Sequence, residues 1–289
     1  MRIGVVGTHG GWSSEFLADA VQDKTGFRLL VDMADVSLDL ERCRAWHGQT
    51  DLCTLDGLIV KKIGARYSPD LLDRLEMLRF VQEQGVKIYS SPLNIMRVLD
   101  RLSCTISLRL AGIPMPPTTI TEESAQAIKA VQDYGQAVFK PLYTSKARGM
   151  KLISADSDIE RQVQDYHRHN SIMYIQKKID LNGRDLGLVF LGGSYLTTYS
   201  RKLGHSWNTT TANGGKYEPY TPSDESISLA EKAQSLFGLD FTCVDLVETE
   251  QGPVVFEVSA FGGFRGMLEA QNINAAALFT EYVAERIQA

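Results

Sequence analysis

Two carboxylates, Asp245 and Glu257, stand inside runs of strand-forming apolar residues in the stretch CVDLVETEQGPVVFEVS, residues 243–259. The alternating Val and Phe on either side, with the turn signal ETEQG between them, predict a β-hairpin. A three-residue loop of Glu250, Gln251 and Gly252, with the glycine left-handed, sets Thr249 opposite Pro253 and Asp245 opposite Glu257. Facing like charges destabilise a ladder by roughly 0.2–1 kcal/mol, and by more where water is excluded, so the pair needs a counter-charge. A hard divalent cation such as Mg²⁺, which combines carboxylate oxygens with nucleotide phosphate oxygens, is the economical one. An outward-facing acidic pair on a surface hairpin is the alternative these residues leave open.

Three cations could serve the same chemistry. Lys140 ends the apolar run Ala137, Val138, Phe139 and precedes Pro141, which holds it extended. The stretch YTSKARG that follows is small and polar, with Gly149 permitting a tight turn, so its amides and hydroxyls could fold over phosphate oxygens beside a lysine point charge. A snorkelling lysine next to a flexible loop is an equal alternative. Arg101 shares the polar side of a helix with Arg97 and Thr105, which a solvated face also explains. Arg201 follows a Gly192–Gly193 turn, faces about residue 184, and could clamp an oxyanion or a phosphoryl group. An ordinary exposed arginine at a strand end would look the same.

The elements that must position these groups fall into two blocks. RIGVVG is a buried strand, and THGGWSSEFLADAVQ a glycine turn leading into a helix capped by Ser13 or Ser14. LDGLIVKKIG is a second strand, PDLLDRLEMLRFVQEQG a helix and VKIYSSP a third strand, an alternation that predicts a parallel sheet over residues 1–93. NIMRVLDRLSCTISLRLAG has helical spacing and ends at Gly112 and Pro114, and IPMPPTT is an extended connector. QAVFKPL, IMYIQKKID and LGLVFL-GG-SYLTTYSRK are strands of antiparallel type; SISLAEKAQSLFGL and NAAALFTEYVAERIQ are helices. The chain thus reads as an α/β protein, α+β in its C-terminal part.

With 289 residues, 44% of them hydrophobic, the chain has ample material for a core, and its net charge of −5, with scattered Lys and Arg, disfavours nucleic acid as a partner. No apolar run approaches a membrane span and the N-terminus has no charged leader, so a cytoplasmic, membrane-free protein is expected. The four cysteines are widely spaced and read as reduced structural thiols. His167 and His169, two apart on a helix, point in different directions and read as a polar face.

The order of these features over residues 95–289 resembles the ATP-grasp fold, and in particular the RimK-like and glutathione-synthetase-like carboxylate-amine ligases. The carrying stretches are LDRLSCTISLRLAGIPMPPT, AVFKPLYTSKARGM, IMYIQKKIDLNGRDLGLVFLGG, FGLDFTCVDLV and GPVVFEVSAFGGFRG. Among subgroups the chain most resembles the ATP-grasp protein of the bacterial GAK gene system. The resemblance implies a preceding α/β domain at 1–93 and an ATP-grasp domain at 94–289, with a lid subdomain at about 115–180 and an antiparallel subdomain at about 181–289. It implies ATP and Mg as cofactors, and roles residue by residue. Arg101 and Lys140 would neutralise phosphates, and Thr144 to Gly149, with Ser145 and Gly149, would form the lid. Gln176, Lys177, Lys178 and Ile179 would hold the adenine through their backbone, and Asp185 would occupy the family's GRD turn. The arginine usual two residues on is Gly187 here. Arg201 would steady the transferring phosphoryl group, Asn208 or Thr210 the substrate. Asp245 and Glu257 would hold Mg²⁺, with Ser259 in place of the usual asparagine.

The implied reaction converts a small-molecule or peptide carboxylate to an acylphosphate and joins it to an amine, releasing ADP and phosphate. Lys62, Arg66 and the Gly10 to Ser13 loop are expected to hold the acceptor between the domains, and family analogy suggests a homo-oligomer. Ser259, Gly187, Lys177 and the altered lid also fit a nucleotide-binding regulatory protein that has lost turnover. A dinucleotide held at the N-terminal glycines is a third reading.

Overall fold

The computed structural model describes residues 1–144, 147–204, 207–209 and 214–289. The first part runs β1 (Ile3–Val6), α1 (Trp12–Thr25), β2 (Leu30–Val31), β3 (Val36–Asp39), β4 (Arg44–His47), β5 (Thr50–Asp51), β6 (Gly57–Val60), α2 (Asp70–Glu83) and β7 (Lys87–Tyr89). All four residues of β1 and of β6 are buried, the unbroken apolar pattern of strands covered on both faces, and the sheet is parallel in the order β2-β1-β6-β7. A second, antiparallel sheet, β3-β4-β5, was not expected, because its strands are short and mostly half-buried, with polar residues among the apolar ones. The expected serine cap of α1 is also absent: Gly11 is the N-cap, and the Ser14 hydroxyl accepts the Thr8 amide at 3.2 Å, closing the preceding loop.

Next come α3 (Pro92–Leu99) and α4 (Arg101–Leu110), where a single helix was expected. Asp100 has extended dihedrals, φ −79° and ψ 112°, and its carboxylate caps α4 by accepting the Leu102 amide at 3.0 Å. Losing such a cap costs about 1 kcal/mol. Asp100→Ala is therefore expected to lower the urea midpoint by an amount equivalent to about 1 kcal/mol at unchanged slope.

β8 (Thr118–Thr121), α5 (Ser124–Tyr134), β9 (Gln136–Lys140), β10 (Lys151–Ser154), α6 (Ile159–His167) and β11 (Met173–Lys177) form an antiparallel sheet, β10-β9-β11-β8, with α5 and α6 packed around Phe139, Val163 and Tyr166. β12 (Arg184–Leu191), β13 (Ser194–Lys202), β14 (Lys216–Pro219), α7 (Asp224–Ser235), β15 (Phe241–Thr249) and β16 (Gly252–Ser259) form the sheet β14-β13-β12-β15-β16. Gly192 and Gly193 make the two-residue turn expected of them, both with positive φ. α8 (Phe264–Gln271) and α9 (Ala275–Gln288) close the chain.

α9 returns to the first sheet: Ile287 fills the space over Gly57, and Val283 and Phe279 share a core with Ile3, Val5 and Leu17. Among the described residues no helix is long and apolar enough to cross a membrane, and all four cysteines are free thiols.

Candidate active site

The last hairpin places its carboxylates opposite each other, Asp245 against Glu257, by a route other than the one expected. The loop has two residues, Glu250 and Gln251, and Thr249 pairs with Gly252, not Pro253. That shift alone would put Phe256 opposite Asp245. A bulge at Phe256, between the pairs Leu246–Val255 and Asp245–Glu257, adds the missing residue and re-aims Glu257.

The counter-charges are arginines. Arg101 is the first residue of α4, its side chain only 9% exposed, which overturns the solvated-face alternative. It donates to Glu257 Oε2 at 2.9 Å and to the carbonyls of Pro141 at 3.2 Å and Thr144 at 3.4 Å. Arg201 pairs in register with Asp185 across β12 and β13 and grips it with both arms, at 2.9 and 2.7 Å. The same guanidinium reaches Asp245 Oδ2 at 3.0 Å. At 19% exposure Arg201 is not a surface arginine. The repulsion inside the hairpin is thus offset by protein alone. Each carboxylate keeps one oxygen in reserve. Glu257 Oε1 has no donor among the described residues, and Asp245 Oδ1 has only the weak thiol contact of Cys243 at 3.7 Å.

Burial raises the Asp245 carboxyl above its ordinary value, and Glu257 adds to this against the opposing pull of Arg201. Burial would raise Glu257 too, but Arg101, Lys140 and Arg201 together hold it below the ordinary range. Lys140 is buried at the end of β9 and donates to the Gln176 side-chain oxygen at 2.6 Å. Gln176 is fixed in turn by Thr118 at 3.3 Å and the Tyr174 hydroxyl at 3.4 Å. Burial pulls the Lys140 ammonium down to about 7, Arg101 reinforces this, and Glu257 and Asp245 oppose it.

These groups share one cavity of about 200 Å³ between the sheet β10-β9-β11-β8 and the sheet β14-β13-β12-β15-β16. Arg101, Lys140, Gln176 to Ile179, Asp185, Arg201, Asn208, Asp245 and Glu257 all line it. The amides of Lys177 and Lys178 are taken by the carbonyls of Pro117 and Gln136, at 2.8 and 2.9 Å. A base held by this backbone must therefore use the Ile179 amide and the carbonyls. Gly149 has φ +71°, as the expected lid turn requires, while Ala147 and Met150 beside it line the cavity. Ser145 and Thr210 lie outside the described residues. Ser259, Lys62 and Arg66 are not in the lining; Lys62 is half-buried and Arg66 exposed.

The absence of an arginine at Gly187 has a packing reason. A Cβ there would stand 2.5 Å from the ring of Tyr199, which also fills the space over Gly263 and Gly266.

Sequence reasoning missed Phe256, whose ring lies 5.4 Å from the Lys140 nitrogen, and Trp207 in the cavity wall. It missed Tyr67, whose phenol burial and the Glu257 charge push up to about 12. It also chose Lys62 over Lys61. Lys61 is the buried one, donating to the carbonyls of Phe261 and Gly262 from a position 3.8 Å over the Phe264 ring. Strand alternation points these neighbours to opposite sides but does not say which side is inside.

The model of the RimK-like ATP-grasp domain matches residues 98–283. The chain belongs to the RimK-like ATP-grasp family. A tetrahydromethanopterin:alpha-L-glutamate ligase of Methanosarcina acetivorans is 25% identical over 307 residues, covering 94% of this chain and 95% of that protein. The alpha-aminoadipate–LysW ligase LysX of Saccharolobus solfataricus is 26% identical over 214 residues, 72% of this chain and 78% of its own. The solved structure of the ATP-grasp ligase PsnB, complexed with a phosphomimetic variant of a minimal precursor, Mg and ADP, superposes with a TM-score of 0.76 at 16% identity. That likeness covers 99% of this chain and 98% of PsnB, and it fixes the fold as ATP-grasp. The expectation of an ATP-dependent ligase that joins a carboxylate to an amine agrees with these relatives.

Proposed function

We propose that this RimK-like ATP-grasp protein binds MgATP in the cavity and uses it to join a carboxylate to an amine. One observation carries the reading. Arg101, Lys140 and Arg201 converge with Asp245 and Glu257 on a single cavity, one wall of which is the strand end Gln176 to Ile179. Asp245 Oδ1 and Glu257 Oε1, the oxygens not taken by arginine, fit a hard divalent ion, with Ser259 as a weaker further ligand. When bound there, such an ion would supply charge neutralisation for the phosphates.

The protein's own part is positioning and electrostatics. Arg101 and Lys140 hold the phosphates beside the turn at Gly149, and the backbone at Ile179 takes the base. A substrate carboxylate oxygen attacks the γ-phosphorus, the bond from that phosphorus to the bridging oxygen breaks, and ADP leaves with the electron pair. Arg201, steadied by Asp185, stabilises the charge on the transferring group. The amine nitrogen then attacks the acyl carbon, the C–N bond forms, phosphate is expelled and the amine proton passes to solvent. Two relatives are named for alpha-L-glutamate and alpha-aminoadipate, which supports an amino acid as one substrate. Asn208 from the cavity wall, with Lys62, Arg66 and the Gly10 to Ser13 loop, holds the acceptor, a small molecule or a peptide. A two-part division near residue 93, a homo-oligomer, a cytoplasmic bacterial setting and an affiliation with the GAK system complete the proposal.

The test is ADP release with MgATP against a panel of amino acids and carboxyl-terminated peptides, with hydroxylamine added to trap the acylphosphate as a hydroxamate. Hydroxamate that forms only with ATP and one class of carboxylate establishes the reaction. Nucleotide binding without ADP release for any pair moves the chain to the regulatory reading.

Lys140 provides a second check. With its ammonium near 7 in the free protein, it is mostly neutral at pH 8, and polyphosphate restores the charged form. ATP binding at pH 8 is expected to take up close to one proton. Uptake should shrink below pH 7, where the lysine is already charged, and vanish in Lys140→Met. Calorimetry in buffers of different ionisation enthalpy measures it.

A further inference from the structure

Three side chains outside the lining of the nucleotide cavity form a cluster that nucleotide binding does not use. His9 follows β1, Asp35 ends the short 3₁₀ turn after β2, and His47 ends β4. One ligand atom from each lies within 4.8 Å of the other two, and the two imidazoles are stacked at 6.5 Å with 27° between their planes. We propose that His9, Asp35 and His47 bind one divalent transition-metal ion of the zinc class, with at least one coordination position left open.

The donor set selects the ion. Two imidazoles and a carboxylate suit zinc, cobalt or nickel, and are poorly matched to Mg²⁺, which takes oxygen. Three protein ligands with a fourth position open is the arrangement of a reactive site, whereas structural zinc sites are closed by four. Ligands about 2.0–2.2 Å from a tetrahedral ion stand roughly 3.5 Å apart, so modest rotation of these side chains closes the present spacing.

The backbone under the three residues is already fixed. Gly10, at φ +68°, turns the chain after His9 and donates its amide to Glu15 at 3.0 Å. The Asp32 carboxylate caps the 3₁₀ turn through the Ala34 amide at 3.0 Å, and His47 pairs with Val36, the neighbour of Asp35. Among the described residues, none of the three side chains has a hydrogen-bond or ion-pair partner, so their donor atoms are uncommitted.

The place suggests the use. β1, β2 and β6 run parallel, so the segments carrying His9, Asp35 and the Lys61–Lys62 pair all leave the carboxyl edge of one sheet. That edge is where open α/β sheets take ligands. An open position on the ion there would accept a carboxylate or amine of a bound small molecule. The metal site stands whether or not the nucleotide reading does.

The experiment is a Co²⁺ titration of the nucleotide-free full chain, followed by visible d–d absorption and by competition with Zn²⁺. One equivalent should bind, with affinity falling roughly 10-fold or more in His9→Ala and in His47→Ala. Because His9 is exposed on a loop, His9→Gln with an unchanged circular dichroism spectrum guards against misfolding. Binding should survive Asp245→Asn/Glu257→Gln, which separates this site from the nucleotide cavity. The proposal is overturned by undiminished binding in both histidine variants. It is equally overturned by the intense near-ultraviolet band of a cobalt–thiolate bond, or by no binding at millimolar Co²⁺.

Discussion

Asp245→Asn/Glu257→Gln is expected to lower MgATP-dependent ADP release by about 10³-fold or more, while the protein stays folded. The size follows from what the pair supplies. A metal ion at a transferring phosphoryl group contributes several kcal/mol of transition-state stabilisation, and about 4 kcal/mol corresponds to three powers of ten in rate. The fold survives because the substitutions remove like charges facing each other across β15 and β16, and Arg201 keeps its fork on Asp185. Arg101 keeps the carbonyls of Pro141 and Thr144. A related expectation comes from the raised carboxyl of Asp245, which must lose its proton before it can hold a cation. Mg²⁺ affinity therefore weakens on acidification at a higher pH than an ordinary aspartate would give. Steady-state ADP release with a thermal melt on the same samples decides the matter; turnover within tenfold of wild type would remove the metal role of the hairpin.

Much of this site could be seen in the chain before it folded, and the parts that could not have a common cause. The pairing of Asp245 with Glu257 followed from an assumed three-residue loop, and the actual two-residue loop reaches the same pairing only through a bulge. The bulge at Phe256 was hidden because its one-residue shift cancels the one-residue difference in loop length. Arg201 could be placed near its partner strand through the Gly192–Gly193 turn, whereas Arg101 was misplaced by treating residues 94–112 as one helix. Its signal was the Asp100 carboxylate, a helix-starting residue inside an otherwise continuous apolar pattern. The polar sheet β3-β4-β5 lacked the aliphatic runs by which strands announce themselves, and it hid His47 beside His9 and Asp35. Contacts between sheets, such as Lys61 on the loop at Phe261, depend on packing that no local pattern encodes.

Arg201→Met separates stability from catalysis, because this arginine is held in the sheet by two carboxylates and is the one proposed to steady the transferring group. It is nearly enclosed and is held by Asp185 and Asp245 together, so its loss leaves both carboxylates without their shared counter-charge in a buried site. Removing one partner from such an arrangement costs roughly 3–5 kcal/mol, which for a chain of this size lowers the melting temperature by about 10 °C. The deficit is pH-dependent with a definite sign. The Arg201 charge holds the Asp245 carboxyl down, so without it the folded-state value rises further, and the stability tied to that proton is lost as pH rises through it. The variant is therefore closest to wild type in mild acid and falls away toward neutral pH. Turnover drops in addition by about 10²–10³-fold, the usual effect of deleting one preorganised charge at a transition state. Asp185→Asn added to Arg201→Met removes one of the stranded charges and should recover part of the melting temperature without recovering ADP release. If the double variant regains both together, Arg201 is a positioning residue for the sheet, and the phosphoryl group is steadied by Lys140 and Arg101 alone.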